Sequence, residues 1–264
     1  MRTASIQEVL SSIEAHALES PGGAIAFDGD GTLWSGDIGE DFFEALLTRG
    51  PLTPVASAAL AREAESGGID AGGDGVSVAR RIHAAYLAGT FSEERACEIM
   101  AWAFAGWTKP DVDAFALRVL KDVGLASRLH GESVAIVEWA RARNLPVYLV
   151  SASPRAIVEQ AAKLVRIDLA CVVSATEQCD AKGIVEAAVV RPIPYGPGKV
   201  SHLQGKLKKR VLYAAFGDNA FDVPMLLHAK TPVAIRPKAR LVSRAAEVPG
   251  LVTLERRDAT PGIE

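Results

Sequence analysis

The sequence predicts an α/β fold: a doubly wound parallel sheet with helices on both faces and a helical segment inserted after its first strand. Three observations carry this. Short apolar runs recur along the 264-residue chain as continuous rather than alternating stretches, the pattern of strands buried on both faces. Most of them are separated by helical patterns, which implies crossover connections in a parallel sheet. One long stretch, residues 36–124, holds no convincing strand run.

In chain order, Ala24–Phe27 (AIAF) is the first expected strand. Residues 36–124 follow, rich in Ala, Leu, Glu and Arg. Residues 41–47 (DFFEALL) and 95–102 (RACEIMAW) carry apolar positions at helical spacing. Gly50-Pro51, Gly67-Gly68, Gly72-Gly73 and Lys109-Pro110 punctuate the stretch, so it reads as four or five helices. Further strands are expected at 147–150, 169–173, 211–216 and 232–235, and a small hairpin over 176–190 with its turn near Gly183. Residues 256–264 read as a loose end. The chain therefore divides into a core, 1–35 with 125–264, and an inserted cap, 36–124.

Composition narrows the function classes. A 49% apolar and 23% charged chain of this length can bury a full core. The formal net charge of −3 argues against nucleic acid or an anionic membrane as partner. No run of about 20 apolar residues is present, and Glu8 and Glu14 interrupt the apolar run that a signal peptide needs. A cytoplasmic location is expected. Cys97, Cys171 and Cys179 form no zinc-ligand spacing, and the five histidines form no metal-ligand pair.

Four segments carry chemistry. In Phe27-Asp28-Gly29-Asp30-Gly31-Thr32-Leu33-Trp34, an apolar strand ends in two aspartates one residue apart. Ligands of open α/β sheets bind beyond the carboxyl ends of the strands. Two carboxylates there repel unless a cation lies between them or one is protonated, and oxygen ligands suit Mg²⁺. A plain Asp-Gly turn explains the same residues. A calcium loop does not, because Leu33 and Gly39 stand where Gly and Glu are required.

In Phe216-Gly217-Asp218-Asn219-Ala220-Phe221-Asp222 a second apolar run ends in carboxylates, at a spacing that a helix cap also explains. In Val150-Ser151-Ala152-Ser153-Pro154 a strand ends in a hydroxyl before a helix start, which is either a phosphate site or a serine cap. Gly196-Pro197-Gly198-Lys199 offers either a phosphate-neutralising lysine or an exposed one. It is not a P-loop, since Ile193 and Val200 replace the required Gly and Ser or Thr.

Taken together, the order DxDxT, insert, Ser, Lys, GDxxxD resembles the four-motif pattern of the haloacid dehalogenase superfamily, in its phosphoserine-phosphatase-like branch. The resemblance runs from Gly22 to about Leu254. It implies a Rossmann-like core with strand order 3-2-1-4-5 and a helical cap that opens and closes over the site. It also implies the roles. Asp28 matches the nucleophile and Asp30 the general acid and base. Thr32 braces the first loop, and with Ser151, Ala152 and Lys199 it makes up the phosphate-binding set. Asp28, Asp30 through its carbonyl, and Asp218 match the Mg²⁺ ligands. Asp222 supports the metal shell or orients Lys199.

The implied reaction is hydrolysis of a small phosphorylated metabolite through an aspartyl-phosphate, by a monomer or homodimer. A phosphomutase or phosphotransferase, a receiver and a non-catalytic phospho-ligand binder are the rivals. Asp30 argues against halide expulsion, which needs no proton. At the position where phosphoserine phosphatases carry a Glu for the substrate amine, this chain has Asp37. Glu40 is the alternative partner for a cationic group, Trp34 leaves the first motif toward the cap, and Arg80 or Arg81 are candidates for a substrate carboxylate.

Overall fold

A computed structural model describes residues 1–256. In chain order the elements are β1 (Arg2–Ala4), α1 (Ile6–Glu19), β2 (Ala24–Phe27), α2 (Ile38–Arg49), α3 (Pro54–Ser66), α4 (Gly75–Leu87), α5 (Glu93–Trp102), α6 (Lys109–Asp122), α7 (Gly131–Ala142), β3 (Val147–Pro154), α8 (Arg155–Leu164), β4 (Val172–Ala175), β5 (Glu177–Cys179), β6 (Val185–Val189), α9 (Pro197–Leu207), β7 (Leu212–Gly217), α10 (Val223–His228), β8 (Thr231–Ala234), α11 (Ala239–Ser243) and β9 (Val252–Leu254).

Seven strands form one sheet in the order β1-β9-β8-β7-β2-β3-β4, and every pairing in it is parallel. Numbering the five expected strands by sequence gives the order 3-2-1-4-5. Two short strands, β9 beside β8 and β1 at the edge, extend the sheet beyond that expectation. Each has three residues, too few for an apolar run to stand out. β4 starts later than the run at 169–173, because Asp168 accepts a hydrogen bond from the Ala170 N–H and caps a 3-10 turn over Leu169–Cys171.

The alternation of strand side chains splits the interior in two. Ile25 and Phe27 of β2 face a cluster with α1, α7, α8 and the inserted helices. Ala24 and Ala26 face a second cluster with Leu203 of α9, Met225 and Leu226 of α10 and Leu241 of α11. Ala24 and Ala26 are small because α9 and α10 lie against that face. Phe27 stacks on Phe216 of the neighbouring strand β7, ring centroids 4.0 Å apart, which holds the two acid-bearing strand ends side by side.

Five helices, α2 to α6, lie between β2 and the core's return at α7. Each starts on a side-chain cap: Asp37, Thr53, Asp74, Ser92 and Thr108. Phe42, Phe104 and Phe115 pack against one another at the centre of this layer. The expected hairpin is present as antiparallel β5 and β6. It is stitched to the α5–α6 connection by three main-chain hydrogen bonds, from Gly106 N–H to Val185, Val185 N–H to Trp107 and Lys109 N–H to Gly183. The expected loose end lies, for residues 257–264, outside the described residues. No helix among the described residues is long and apolar enough to cross a membrane.

Candidate active site

The C-terminal ends of β2, β3 and β7 point at one cavity of about 350 Å³, where an open parallel sheet places its ligands. Asp28 follows β2 directly, and its N–H donates to Phe216 of β7 (2.9 Å). Its Oδ1 accepts from Lys199 Nζ at 2.5 Å and its Oδ2 from the Thr32 hydroxyl at 3.0 Å. Both oxygens of the buried carboxylate are thereby oriented. Burial pushes the Asp28 carboxyl up, and Asp222 adds to this while Lys199 opposes it.

Lys199 is fully buried near the start of α9, so the exposed alternative for this lysine is excluded. Its ammonium also donates to Asp222 Oδ1 at 2.6 Å. Burial disfavours the charge, but Asp222 and Asp28 outweigh that cost and hold the lysine above its ordinary value. The other Asp222 oxygen accepts from the N–H groups of Asp218 and Asn219 at 3.0 and 2.9 Å. Asp222 therefore both fixes the β7 loop and orients Lys199.

Asp218 differs from its neighbours. It is 1% exposed, yet neither carboxylate oxygen accepts a hydrogen bond from the described residues. Lys238 Nζ lies 2.9 Å from Oδ2 as an ion-pair contact, on a side chain that is half exposed. Burial first, then Asp222, raises Asp218 to about 6, against the pull of Lys238. Oxygens of Asp28, Asp218 and Asp222 lie within 4.8 Å of one another. An unsatisfied buried carboxylate is costly. An all-oxygen donor set that includes one is what a hard divalent cation such as Mg²⁺ requires. The residues present fit the metal. Gly31, at φ 84°, makes room for this arrangement, because a Cβ there would stand 2.0 Å from Asp218 Oδ2.

Asp30 stands apart from that carboxylate group. Its Oδ1 accepts from Trp34 Nε1 and from the Ile38 N–H, both at 2.8 Å. Its Oδ2 accepts from the Ser153 hydroxyl at 2.7 Å, with the Ser151 hydroxyl at 3.4 Å. The Ser153 N–H donates to the Ser151 oxygen at 3.0 Å, so the Ser151 hydroxyl accepts from its own loop while its proton makes the long contact with Asp30. Ser151, Ala152 and Ser153 all line that cavity.

Two expectations need correction. Trp34 does not face the cavity: it is fully buried and its ring nitrogen is committed to Asp30, so it positions that carboxylate instead of meeting substrate. Thr32 is likewise fully buried, with its hydroxyl on Asp28, so it braces the loop and leaves phosphate contact to the other three. Of the two cap arginines, Arg80 pairs with Glu44 at 3.0 Å, and Arg81 is held by the Asp70 and Gly72 carbonyls. Neither lines the cavity. Asp37 and Glu40 do line it. Asp37 also caps α2 through the Glu40 N–H (2.9 Å), and burial followed by Asp30 pushes its carboxyl up.

Sequence reasoning missed several contributors. Ser133 Oγ donates to the Thr32 carbonyl at 2.7 Å. His130 Nδ1 is 3.1 Å from the same oxygen and must donate, since a carbonyl only accepts. Burial lowers the His130 pKa, in keeping with a neutral ring. Lys238 follows β8, and the strand-end rule pointed to its region. Tyr86, Glu93, Tyr195 and Phe221 also line the cavity. They are far apart in sequence and carried no local signal.

Several solved structures share the fold. A protein of unknown function from Bordetella pertussis Tohama I is 20% identical, with TM-score 0.66, over 88% of this chain and 97% of that one. A functionally unknown protein from Anaerococcus prevotii DSM 20548 is 13% identical, with TM-score 0.66, over 94% and 90%. A substrate-bound phosphoserine phosphatase is 17% identical, with TM-score 0.54, over 89% and 94%. No curated protein matches the chain. The family model for haloacid dehalogenase-like hydrolases matches residues 25–227, spanning all four motifs and the insert between them, and the chain belongs to that family.

Proposed function

We propose that this protein hydrolyses a small phosphorylated metabolite through an aspartyl-phosphate on Asp28, in the cytoplasm and with Mg²⁺. The observation that carries the reading is the pairing of Asp28 with Asp218. One carboxylate is held by Lys199 and Thr32, and the other is buried beside it, its Oδ1 without a donor among the described residues and its Oδ2 met by the half-exposed Lys238 ammonium. The hydrolase family and the phosphoserine phosphatases among its structural neighbours support it.

Asp28, Asp218 and the Asp30 carbonyl would hold Mg²⁺, which when bound supplies positive charge to the phosphate oxygens and to the attacking carboxylate. The chain's own groups do the rest. The Ser151 hydroxyl, turning from its long contact with Asp30, the Ala152 N–H and Lys199 hold the phosphate. An Asp28 oxygen attacks phosphorus, and Asp30 gives its proton to the departing alcohol oxygen. Asp30, now a carboxylate, takes a proton from water. That water attacks phosphorus, which releases inorganic phosphate and restores Asp28. The three short hydrogen bonds to Asp30, from Trp34, the Ile38 N–H and Ser153, keep one group in place for both half-reactions. Residues 1–35 and 125–264 act as the hydrolase core, and residues 36–124 as the cap that keeps bulk water from the intermediate.

The test is turnover of p-nitrophenyl phosphate and a panel of phosphorylated metabolites by purified protein, with and without Mg²⁺, beside the Asp28→Asn variant. The expected result is activity that requires both. Mg²⁺ binding without turnover of any ester would instead favour a mutase or a binding protein.

A further inference from the structure

Beyond the phosphoryl site, the cavity has a leaving-group side whose chemistry is one-sided. Asp37, Glu40 and Glu93 line it, with the rings of Tyr86, Tyr195 and Phe221, and no arginine or lysine stands among them. The single lysine in the lining, Lys238, is engaged with Asp218 on the metal side. Arg240 pairs with Glu93 at 2.9 Å but is 68% exposed and lies outside the cavity lining. The Tyr86 hydroxyl donates to Glu40 Oε1 at 3.1 Å, which orients that carboxylate and leaves Oε2 to the cavity. Tyr195 and Phe221 pack with ring centroids 5.2 Å apart, forming one aromatic wall.

A negative group placed here would meet Asp37 and Glu40, for which the described lining holds no cation beyond the engaged Lys238, beside Glu93, which Arg240 already pairs. A neutral apolar group would desolvate Glu40 and give nothing back, and a hydroxyl would return one hydrogen bond but no charge pairing. An organic cation meets both features, charge pairing with Glu40 and the electron-rich ring faces. We infer that the substrate is the phosphate monoester of a short amino alcohol, bearing an ammonium or alkylated ammonium and no carboxylate. This rests on the phosphatase reading above and narrows it. An amino-acid phosphate such as O-phosphoserine carries a carboxylate for which this wall has no partner.

The experiment compares four esters on wild-type enzyme with Mg²⁺: 2-aminoethyl phosphate, its N-trimethyl form, propyl phosphate as the neutral isostere, and O-phosphoserine. The expected kcat/KM for at least one cationic ester exceeds that for propyl phosphate about ten-fold or more, a factor within the range of one cation–π contact plus one carboxylate pair. O-phosphoserine should fall below the cationic ester. Glu40→Gln should bring the ratio of cationic to neutral ester down by several fold. The two cationic esters separate a charge-paired site from a ring-dominated one, since methylation removes N–H donors and keeps the charge.

Binding of the same esters to Asp28→Asn by calorimetry gives a readout that needs no turnover, and the same order of affinities is expected. Propyl phosphate or O-phosphoserine matching the cationic esters, in turnover or in binding, would overturn the inference and leave ester hydrolysis standing. A panel bound in the expected order but never hydrolysed would sustain the cation preference while sinking the hydrolytic reading.

Discussion

At the scale of single residues, the site is organised by who holds each carboxylate. Asp30 is held on one oxygen by Trp34 and the Ile38 N–H, and on the other by Ser153. Ser153→Ala removes a charge-assisted bond that contributes about 1.5–3 kcal/mol in a buried setting. If part of that loss falls on the transition state, kcat drops about ten-fold while KM changes little, and steady-state kinetics on p-nitrophenyl phosphate read the split. Trp34→Phe deletes the donor and also leaves a cavity where the second ring of the buried indole stood. It should cost about 2–4 kcal/mol of stability in urea unfolding, and a larger kcat loss than Ser153→Ala would identify Trp34 as the principal anchor of the acid. Trp34 reads from sequence as an aromatic leaving a catalytic loop. Its burial decides otherwise, because an indole that finds a buried acceptor four residues back has no reason to stay in solvent.

At the scale of elements, one arginine ties three of them together. Arg155 opens α8 directly after the Ser151–Pro154 segment. It reaches Glu177 of β5 through Nε at 2.9 Å, Glu159 one turn along its own helix at 2.9 Å, and Asp113 of α6 at 3.1 Å. Glu177 is itself buried. Arg155→Met should therefore destabilise the protein by about 3–5 kcal/mol, the cost of leaving a buried carboxylate without its cation. Thermal or urea denaturation would detect it, and Arg155→Lys should recover only part of the loss, since lysine cannot reproduce the forked contacts. The same contacts bear on cap motion. Arg155 and the three main-chain hydrogen bonds from the hairpin to the α5–α6 connection join the insert to the core. If residues 36–124 open as the proposed cap, they must either carry the hairpin with them or break those bonds, and amide exchange at Gly106, Lys109 and Val185 separates the two cases.

At the scale of the whole molecule, the buried acids make stability and metal affinity depend on pH in a defined direction. Asp218 sits at about 6 in the folded protein, against about 3.9 for an unfolded aspartate. The folded state therefore binds its proton more tightly, and the contribution of this group to stability falls as pH rises from about 4 to about 6. The full loss is on the order of 3 kcal/mol above that window. A divalent cation relieves it only where Asp218 is ionised. The stabilisation given by Mg²⁺, read as a shift in melting temperature, should accordingly be small at pH 5 and large at pH 7.5. A shift equal at both pH values would remove Asp218 from the metal site. Chelation at neutral pH should lower the melting temperature, and Asp218→Asn should be insensitive to both Mg²⁺ and chelator.

The parallel sheet, its 3-2-1-4-5 order and the helical insert were legible in the sequence, because buried strands must read as continuous apolar runs and because DxDxT, Ser, Lys and GDxxxD occur in order at strand ends. The short strands β1 and β9 were not legible, since three residues carry no periodic signal. The exposed alternative for Lys199 could be settled only by burial, which is a property of packing. The same holds for the leaving-group wall. Glu40, Tyr86, Glu93, Tyr195 and Phe221 come from separate helices and loops, and residues that meet only through tertiary structure share no spacing along the chain. What the sequence alone determined is the reacting end of the site, whose groups ride on strand termini that the fold must bring together. What the tertiary structure alone decided is the other end, where inserted helices and loops set the charge and shape that a leaving group meets.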